Sequence, residues 1–188
     1  MEDSQSAGGR TRRRGNTGKW ITLIFGLAFV GSIVVSWIGS SQDSHASHAS
    51  STAPSYLREM ELIGEVTGKE ALAEINKLHG KDIDVVDGYM AEYGHNRNRA
   101  MVWVARASNQ EAASSLLKGM VERIEGGTGK QPFRNLRSVS VGGKQVFAVD
   151  GPGGDNFFYA SDNKVVWLAL QLQGGDSIGV VKTALKVF

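Results

Sequence analysis

The chain has 188 residues, of which 41% are hydrophobic and 21% are charged, proportions typical of a folded globular protein rather than a disordered one. It contains no cysteine, which excludes disulfides, thiolate zinc sites and thiol catalysis. The excess of basic residues lies in residues 1–19, whereas residues 56–188 hold 16 basic and 16 acidic side chains. Because a nucleic-acid-binding surface needs cations clustered on the folded part of the chain, we expect no nucleic-acid partner.

Residues 20–39 form an uncharged apolar stretch, WITLIFGLAFVGSIVVSWIG. A helix rises about 1.5 Å per residue, so a stretch of this length crosses about 30 Å, the thickness of the hydrocarbon core of a bilayer. Trp20 and Trp37 lie near its two ends, where indole rings favour the membrane interface. The stretch therefore predicts a single transmembrane helix, with the lipid bilayer as its partner.

The charges around this stretch predict its orientation. Arg12, Arg13 and Arg14 precede it, and cations of this kind remain on the cytoplasmic side, so residues 1–19 are predicted to be a cytoplasmic stub. A cleaved signal peptide is the alternative, because residues 44–46 have a small-x-small pattern. The apolar run is longer than the apolar part of a signal peptide, which favours the anchor, and both interpretations place the rest of the chain outside the cytoplasm.

Residues 40–55, SSQDSHASHASSTAPS, are rich in Ser, Ala and His and predict a flexible tether. His45 and His48 within it are candidate ligands of a transition metal, but two ligands on a flexible chain make a poor site. We therefore interpret the segment as a tether between the membrane and a domain spanning residues 56–188.

Apolar periodicity and turn residues predict the elements of that domain in chain order. A capping-box pattern at residues 67–70 begins a helix that ends near Gly80, and a second such pattern, Ser108 to Glu111, begins a helix that ends near Glu125. Asp176 or Ser177 caps the last helix, through residue 186. The predicted strands are residues 83–93, 99–107, 136–141, 144–149, 155–161 and 164–172.

The resulting order is α-β-β-α-β-β-β-β-α, which predicts an α+β fold. Short turns such as Gly142-Gly143 and Asp162-Asn163 favour antiparallel pairing of consecutive strands. We expect one antiparallel sheet of about five or six strands with two to three helices packed on one face. In the last helix, Ile178, Val181 and Leu185 are predicted to point inward.

The domain offers few candidates for chemistry. His79, His95, Asp82 and Asp84 are the candidate ligands for a small molecule or a hard cation, although the spacing of a calcium loop is absent. Adjacent aromatic residues in one strand must address both faces of a sheet, so Phe157 is a candidate for a binding patch. No serine–histidine–aspartate or paired-carboxylate pattern is present, and we expect no catalytic residue, metal or cofactor.

Several short segments are spread over roughly residues 60–172: Leu78-His79-Gly80-Lys81-Asp82-Ile83, Trp103-Val104, Val146-Phe147, Phe157-Phe158-Tyr159 and Val166-Trp167-Leu168. Together they resemble a pattern found in uncharacterised, membrane-anchored bacterial and archaeal proteins. The resemblance brings no known activity, and no catalytic residue is carried over from it.

These observations favour a non-catalytic, membrane-anchored extracytoplasmic module that binds a membrane-protein partner or assists a membrane or envelope complex. One alternative is an extracytoplasmic domain that binds a small ligand or a metal. A further alternative is a hydrolase with a site that the sequence does not reveal.

Overall fold

A computed structural model describes residues 52–79, 85–127 and 132–188. The described residues form eight strands and three helices. The strands are β1 (Tyr56–Leu57), β2 (Met60–Thr67), β3 (Asp87–His95), β4 (Asn98–Arg106), β5 (Arg134–Val141), β6 (Lys144–Gly151), β7 (Gly154–Ser161) and β8 (Lys164–Gln171); the helices are α1 (Gly68–His79), α2 (Gln110–Glu125) and α3 (Ser177–Val187).

All eight strands belong to one antiparallel sheet with the order β1-β2-β3-β4-β8-β7-β6-β5. The prediction of five or six strands is therefore wrong, because β1 and β2 precede the first predicted helix. A bulge between Leu62 and Gly64 interrupts the alternation of side chains in β2, so its sequence lacks the clear two-residue period of a strand.

The architecture predicted for the whole chain also began with a transmembrane helix. None of the helices described at residues 52–79, 85–127 and 132–188 has the length and apolarity needed to span a membrane. Residues 20–39 lie outside the described residues. The predicted fold class is therefore corrected to an eight-stranded antiparallel sheet with three helices.

Helices cover both faces of the sheet, not one face as predicted. We call the face that carries Val104 and Val166 the inner face; there Val181 and Ala184 of α3 are fully buried. The opposite, outer face is covered by α2, whose Ala113 packs in one cluster with buried strand residues, and by α1. Both faces are covered because strands such as β4 carry apolar residues at odd and even positions.

The sheet curls around α3. Asp176 accepts a hydrogen bond from Arg58, between β1 and β2, while the next residue, Ser177, donates one to Asp155 of β7. In the sheet, β2 and β1 are four and five positions from β7, which would be about 19 and 24 Å in a flat sheet. Because α3 also contacts both edge strands, β1 and β5, the inner face must be concave.

Capping was predicted correctly for α3 and incorrectly for α2. Asp176 is the N-cap of α3 and accepts a 2.8 Å hydrogen bond from the backbone N–H of Gly179. The cap of α2 is Asn109, whose side chain accepts from the N–H of Ala112, one residue later than the predicted capping box places it.

In α3, Ile178 was predicted to point inward but is 47% exposed, because the helix buries Val180 and Val181 instead.

Gly88 tests how closely α1 packs on the outer face. A Cβ added to Gly88 would lie 2.7 Å from Ile75 Cδ1 of α1 and 2.7 Å from the carbonyl oxygen of Val104. We predict that Gly88→Ala lowers the free energy of unfolding by about 2 kcal/mol, because backbone or helix must move to accept the methyl group. Chemical denaturation of the purified chain measures this change.

Gly119 is the matched control, since a Cβ there would have no neighbour within 4 Å. Gly119 lies within α2, so Gly119→Ala is expected to stabilise the chain by roughly 0.5–1 kcal/mol through helix propensity. Equal stability of the two variants would show that α1 does not pack on Gly88 as described.

Candidate functional site: an open strand edge

The candidate ligands predicted from the sequence do not converge among the described residues. His95 ends β3 and is exposed at the tip of the β3–β4 turn. His79 is the last residue of α1, and its side chain lies outside the description, as do Asp82 and Asp84. Within the described part of the chain, no three His, Cys, Asp or Glu side chains lie close enough to hold a metal ion. The other predicted residues, His45, His48, Trp20, Trp37, Arg12, Arg13 and Arg14, lie outside the described residues.

Phe157 lies in the inner core and not on the surface. Its side chain is 6% exposed and packs on the face of the sheet that α3 covers. The adjacent Phe158 is fully buried on the outer face, where its ring stacks on Phe147 at 5.4 Å and on Trp167 at 4.8 Å. The adjacent aromatic pair does address both faces, as expected, but α2 and α3 cover it on both sides.

Buried tyrosines line the concave inner face. Tyr93 donates a 2.9 Å hydrogen bond to the carbonyl oxygen of Pro54. The hydroxyl of Tyr159 is fully buried and has no hydrogen-bond partner among the described residues. Burial raises the pKa of Tyr159, and burial together with the nearby carboxylate of Glu65 raises the pKa of Tyr89 to about 12. Both phenols are therefore neutral at pH 7, and neither is activated as a base or nucleophile.

An open depression lies at the N-terminal end of α2, lined by Asn109, Gln110, Glu111 and Ser114. The side chain of Asn109 already caps the helix, and Glu111 places a carboxylate in its first turn. Both features satisfy the positive end of the helix from within the chain. The depression therefore offers no convergent set of groups for a ligand.

On one side of the sheet, the short edge strand β1 covers β2. β1 pairs with the start of β2, and the N–H of Leu62 donates a 2.9 Å hydrogen bond to the carbonyl oxygen of Ser55. Next to this contact, the N–H of Ala53 donates to Oε1 of Glu65 at 2.7 Å. Residues 52–57 thus cover the β2 edge, as expected for a strand edge that natural proteins protect.

The opposite edge, β5, pairs only with β6 among the described residues. Its first half is protected by a bulge near Asn135, which has a positive φ of 54°, and by the contact of Arg137 with Asp150 at 3.1 Å. Hydrogen bonds from Asn135 and Arg137 lower the pKa of Asp150, so this carboxylate stays charged. The second half, residues 138–141, carries no charge and no bulge.

The turn after β5 determines which backbone groups face outward. Gly142 and Gly143 have φ of 60° and 82°, the signature of a two-residue type I′ turn, so Val141 and Lys144 form a hydrogen-bonded pair. Hydrogen-bonded and non-hydrogen-bonded positions alternate along an antiparallel strand. The N–H and C=O groups of Ser138 and Ser140 therefore point away from β6, toward the open edge.

We take this open edge, the outer side of residues 138–141, as the candidate functional site. Sequence reasoning identified the strand and its glycine turn but not the edge, because strand order depends on pairing between distant segments. No protein-family model matches this chain, and no curated protein matches it at a significant level. The geometry of the edge is therefore the basis for a functional proposal.

Replacement of the two inner-face tyrosines is predicted to have opposite effects on stability. Tyr159→Phe removes a buried hydroxyl that has no partner, so the free energy of unfolding should stay the same or rise by up to about 1 kcal/mol. Tyr93→Phe leaves the carbonyl of Pro54 without its donor and should cost about 1 kcal/mol. Urea denaturation of both variants at pH 7 distinguishes them, and a larger loss for Tyr159→Phe would contradict the assigned contacts.

Proposed function

We infer that this chain is a non-catalytic, membrane-attached extracytoplasmic module that binds an extended segment of a partner protein along the open edge of β5. The single observation behind the proposal is the asymmetry of the two edges. The edge strand β1 is only 2 residues long, whereas β5 has 8 residues, and the outward N–H and C=O groups of Ser138 and Ser140 have no strand beside them in the described chain.

Backbone hydrogen bonding supports a strand as the ligand. An unpaired edge presents alternating donors and acceptors that match any extended peptide, and side-chain contacts beside the edge then select the sequence. Val139 is half-buried against the inner core, and both α2 and α3 contact β5. A docked strand would thus extend the sheet next to a strand that both helices already contact.

Membrane attachment is supported by the sequence of the N-terminal region. Residues 20–39 are uncharged and long enough to enter a bilayer, and Arg12, Arg13 and Arg14 before them oppose translocation. The folded part carries equal numbers of basic and acidic side chains over residues 56–188, so nothing in its net charge directs it to nucleic acid. A partner in the same membrane or envelope complex fits this location.

Proline substitution at neighbouring positions of β5 tests the binding edge. Ser140→Pro removes one outward N–H and leaves the bonds to β6 intact, so we expect wild-type thermal stability and loss of partner recovery by at least about tenfold in affinity capture from detergent extracts. The magnitude follows from loss of one main-chain hydrogen bond and displacement of the docked strand.

Val139→Pro is the matched control, because its N–H points toward β6 and its loss breaks the internal ladder. This variant should unfold at a lower temperature than the Ser140→Pro variant. Recovery of the same partner at wild-type levels by the folded Ser140→Pro variant would exclude the β5 edge as the binding site. Repeated recovery of the wild-type chain alone would exclude partner binding itself.

A fusion reporter tests the location of the domain. Alkaline phosphatase, which is active only outside the cytoplasm, is predicted to be active when fused after Phe188 and inactive when fused after Gly18, before the apolar stretch. An inactive fusion after Phe188, together with a chain that stays soluble in the absence of detergent, would contradict membrane attachment.

A further inference from the structure

The open edge of β5 is a short segment with two definite ends. On its N-terminal side a bulge and the charged Arg137 interrupt the strand, and on its C-terminal side the strand ends at the Gly142-Gly143 turn. Between these ends, the outward N–H and C=O groups belong to Ser138 and Ser140. A strand that docks here must therefore present its own hydrogen-bonding groups at the same two-residue spacing.

A second copy of β5 presents its groups at this spacing. When two identical strands pair antiparallel with Val139 opposite Val139, Ser138 of each copy lies opposite Ser140 of the other. Both serine pairs are then hydrogen-bonded pairs, because they join outward groups to outward groups, and each such pair exchanges two main-chain hydrogen bonds. A two-fold axis through the Val139 pair relates the copies, so the edge is complementary to itself.

The residues that flank the segment disfavour the neighbouring two-fold registers. A shift toward the start of β5 places one serine opposite the bulge, and a further shift brings Arg137 opposite Arg137. Like charges directly opposite each other destabilise a pair of strands. A shift toward the end of β5 places a serine opposite Gly142, where the chain already turns back into β6. The register centred on Val139 is therefore the one that pairs both outward residues.

The side chains in this register are compatible on both faces of the sheet. On the inner face, the half-buried Val139 lies opposite the same residue, and cross-strand pairs of β-branched side chains suit an antiparallel sheet. Arg137 lies opposite Val141, so no two like charges are paired. On the outer face, the exposed side chains of Ser138 and Ser140 lie opposite each other, an arrangement in which hydroxyls hydrogen-bond across the strands.

Pairing through β5 closes at two copies, because the other edge of the described sheet presents no comparable segment. Strand β1 at that edge is 2 residues long, and Pro54 shortly before it has no N–H to donate. An edge that pairs only with its own kind gives a closed dimer, whereas pairing of unlike edges extends into a filament. The two-fold axis also places both copies of β1 at the same height along it, so one bilayer can hold both chains.

We propose that the partner of the β5 edge is a second copy of this chain, paired antiparallel about Val139 in a two-fold dimer. This inference rests on the edge-binding function proposed above and names the partner for it. The ladder between the copies is short, and attachment of both copies to one membrane raises the effective concentration at which they meet.

The absence of cysteine allows a direct test of the register on the full chain. In Val139→Cys the two thiols lie opposite each other in a non-hydrogen-bonded pair, with Cα atoms about 4.5 Å apart, within the range of a disulfide. In the matched control, Ser138→Cys, the Cα atoms of the two cysteines are about 9 Å apart, which is too far for a disulfide. The purified variants are oxidised in detergent with copper phenanthroline, and linked dimers are measured on a non-reducing gel.

We expect Val139→Cys to form linked dimers at least about tenfold faster than Ser138→Cys. Residue 138 is the more exposed of the two positions, so random collisions would give the opposite order. Adding Ser140→Pro to Val139→Cys should slow the linkage by at least about tenfold, because each edge loses an outward N–H. Sedimentation of the unsubstituted chain in detergent should give the protein mass of two copies.

Equal rates for the two cysteine variants, or the mass of one copy for the unsubstituted chain, would overturn self-pairing. Edge binding would survive that result if affinity capture recovers another protein that the Ser140→Pro variant loses. Co-expressed copies that carry two different tags distinguish a recovered second copy from the bait. Recovery of the bait alone, without the second tag and without another protein, would overturn self-pairing and the edge-binding function together.

Discussion

The arrangement of the domain depends on α3 being held inside the curled sheet. The helix is fixed at its start by Arg58 and Asp155 and at its end by Lys164, which donates to the carbonyl oxygen of Phe188. The ion pair of Arg58 with Asp176 is solvent-exposed and contributes at most about 1 kcal/mol. Burial of Val180 and Val181 contributes about 1.5–3 kcal/mol for each side chain, so apolar packing holds the helix and the polar contacts orient it.

The two edges of the curled sheet differ. Residues 52–57 run along β2 and cover it with the short edge strand β1. Near β5, protection by a bulge and by Arg137 ends before Ser138, and the last residues of the strand are left with outward backbone groups. The proposal that a partner strand docks on β5 follows from this difference between the two edges.

Local signals in the sequence identified most of the strands and all three described helices, because caps, glycine turns and apolar periods act over a few residues. Asp176 and Gly142-Gly143 are examples. The two first strands were missed, since the bulge at Leu62 and Gly64 hides the alternation of β2 and since β1 is only 2 residues long. The candidate site was missed as well, because nothing in the sequence of residues 138–141 distinguishes an edge strand from a central one.

The sequence by itself determined the concentration of basic residues before an apolar stretch, the lack of thiol chemistry, and the succession of turns and caps. These properties depend on composition and on neighbours along the chain. Only the tertiary structure decided the order of the strands, the covering of both faces and the choice of the open edge. Each of those depends on contacts between residues far apart in the chain, such as Arg58 with Asp176, whose formation is governed by the packing of the whole domain.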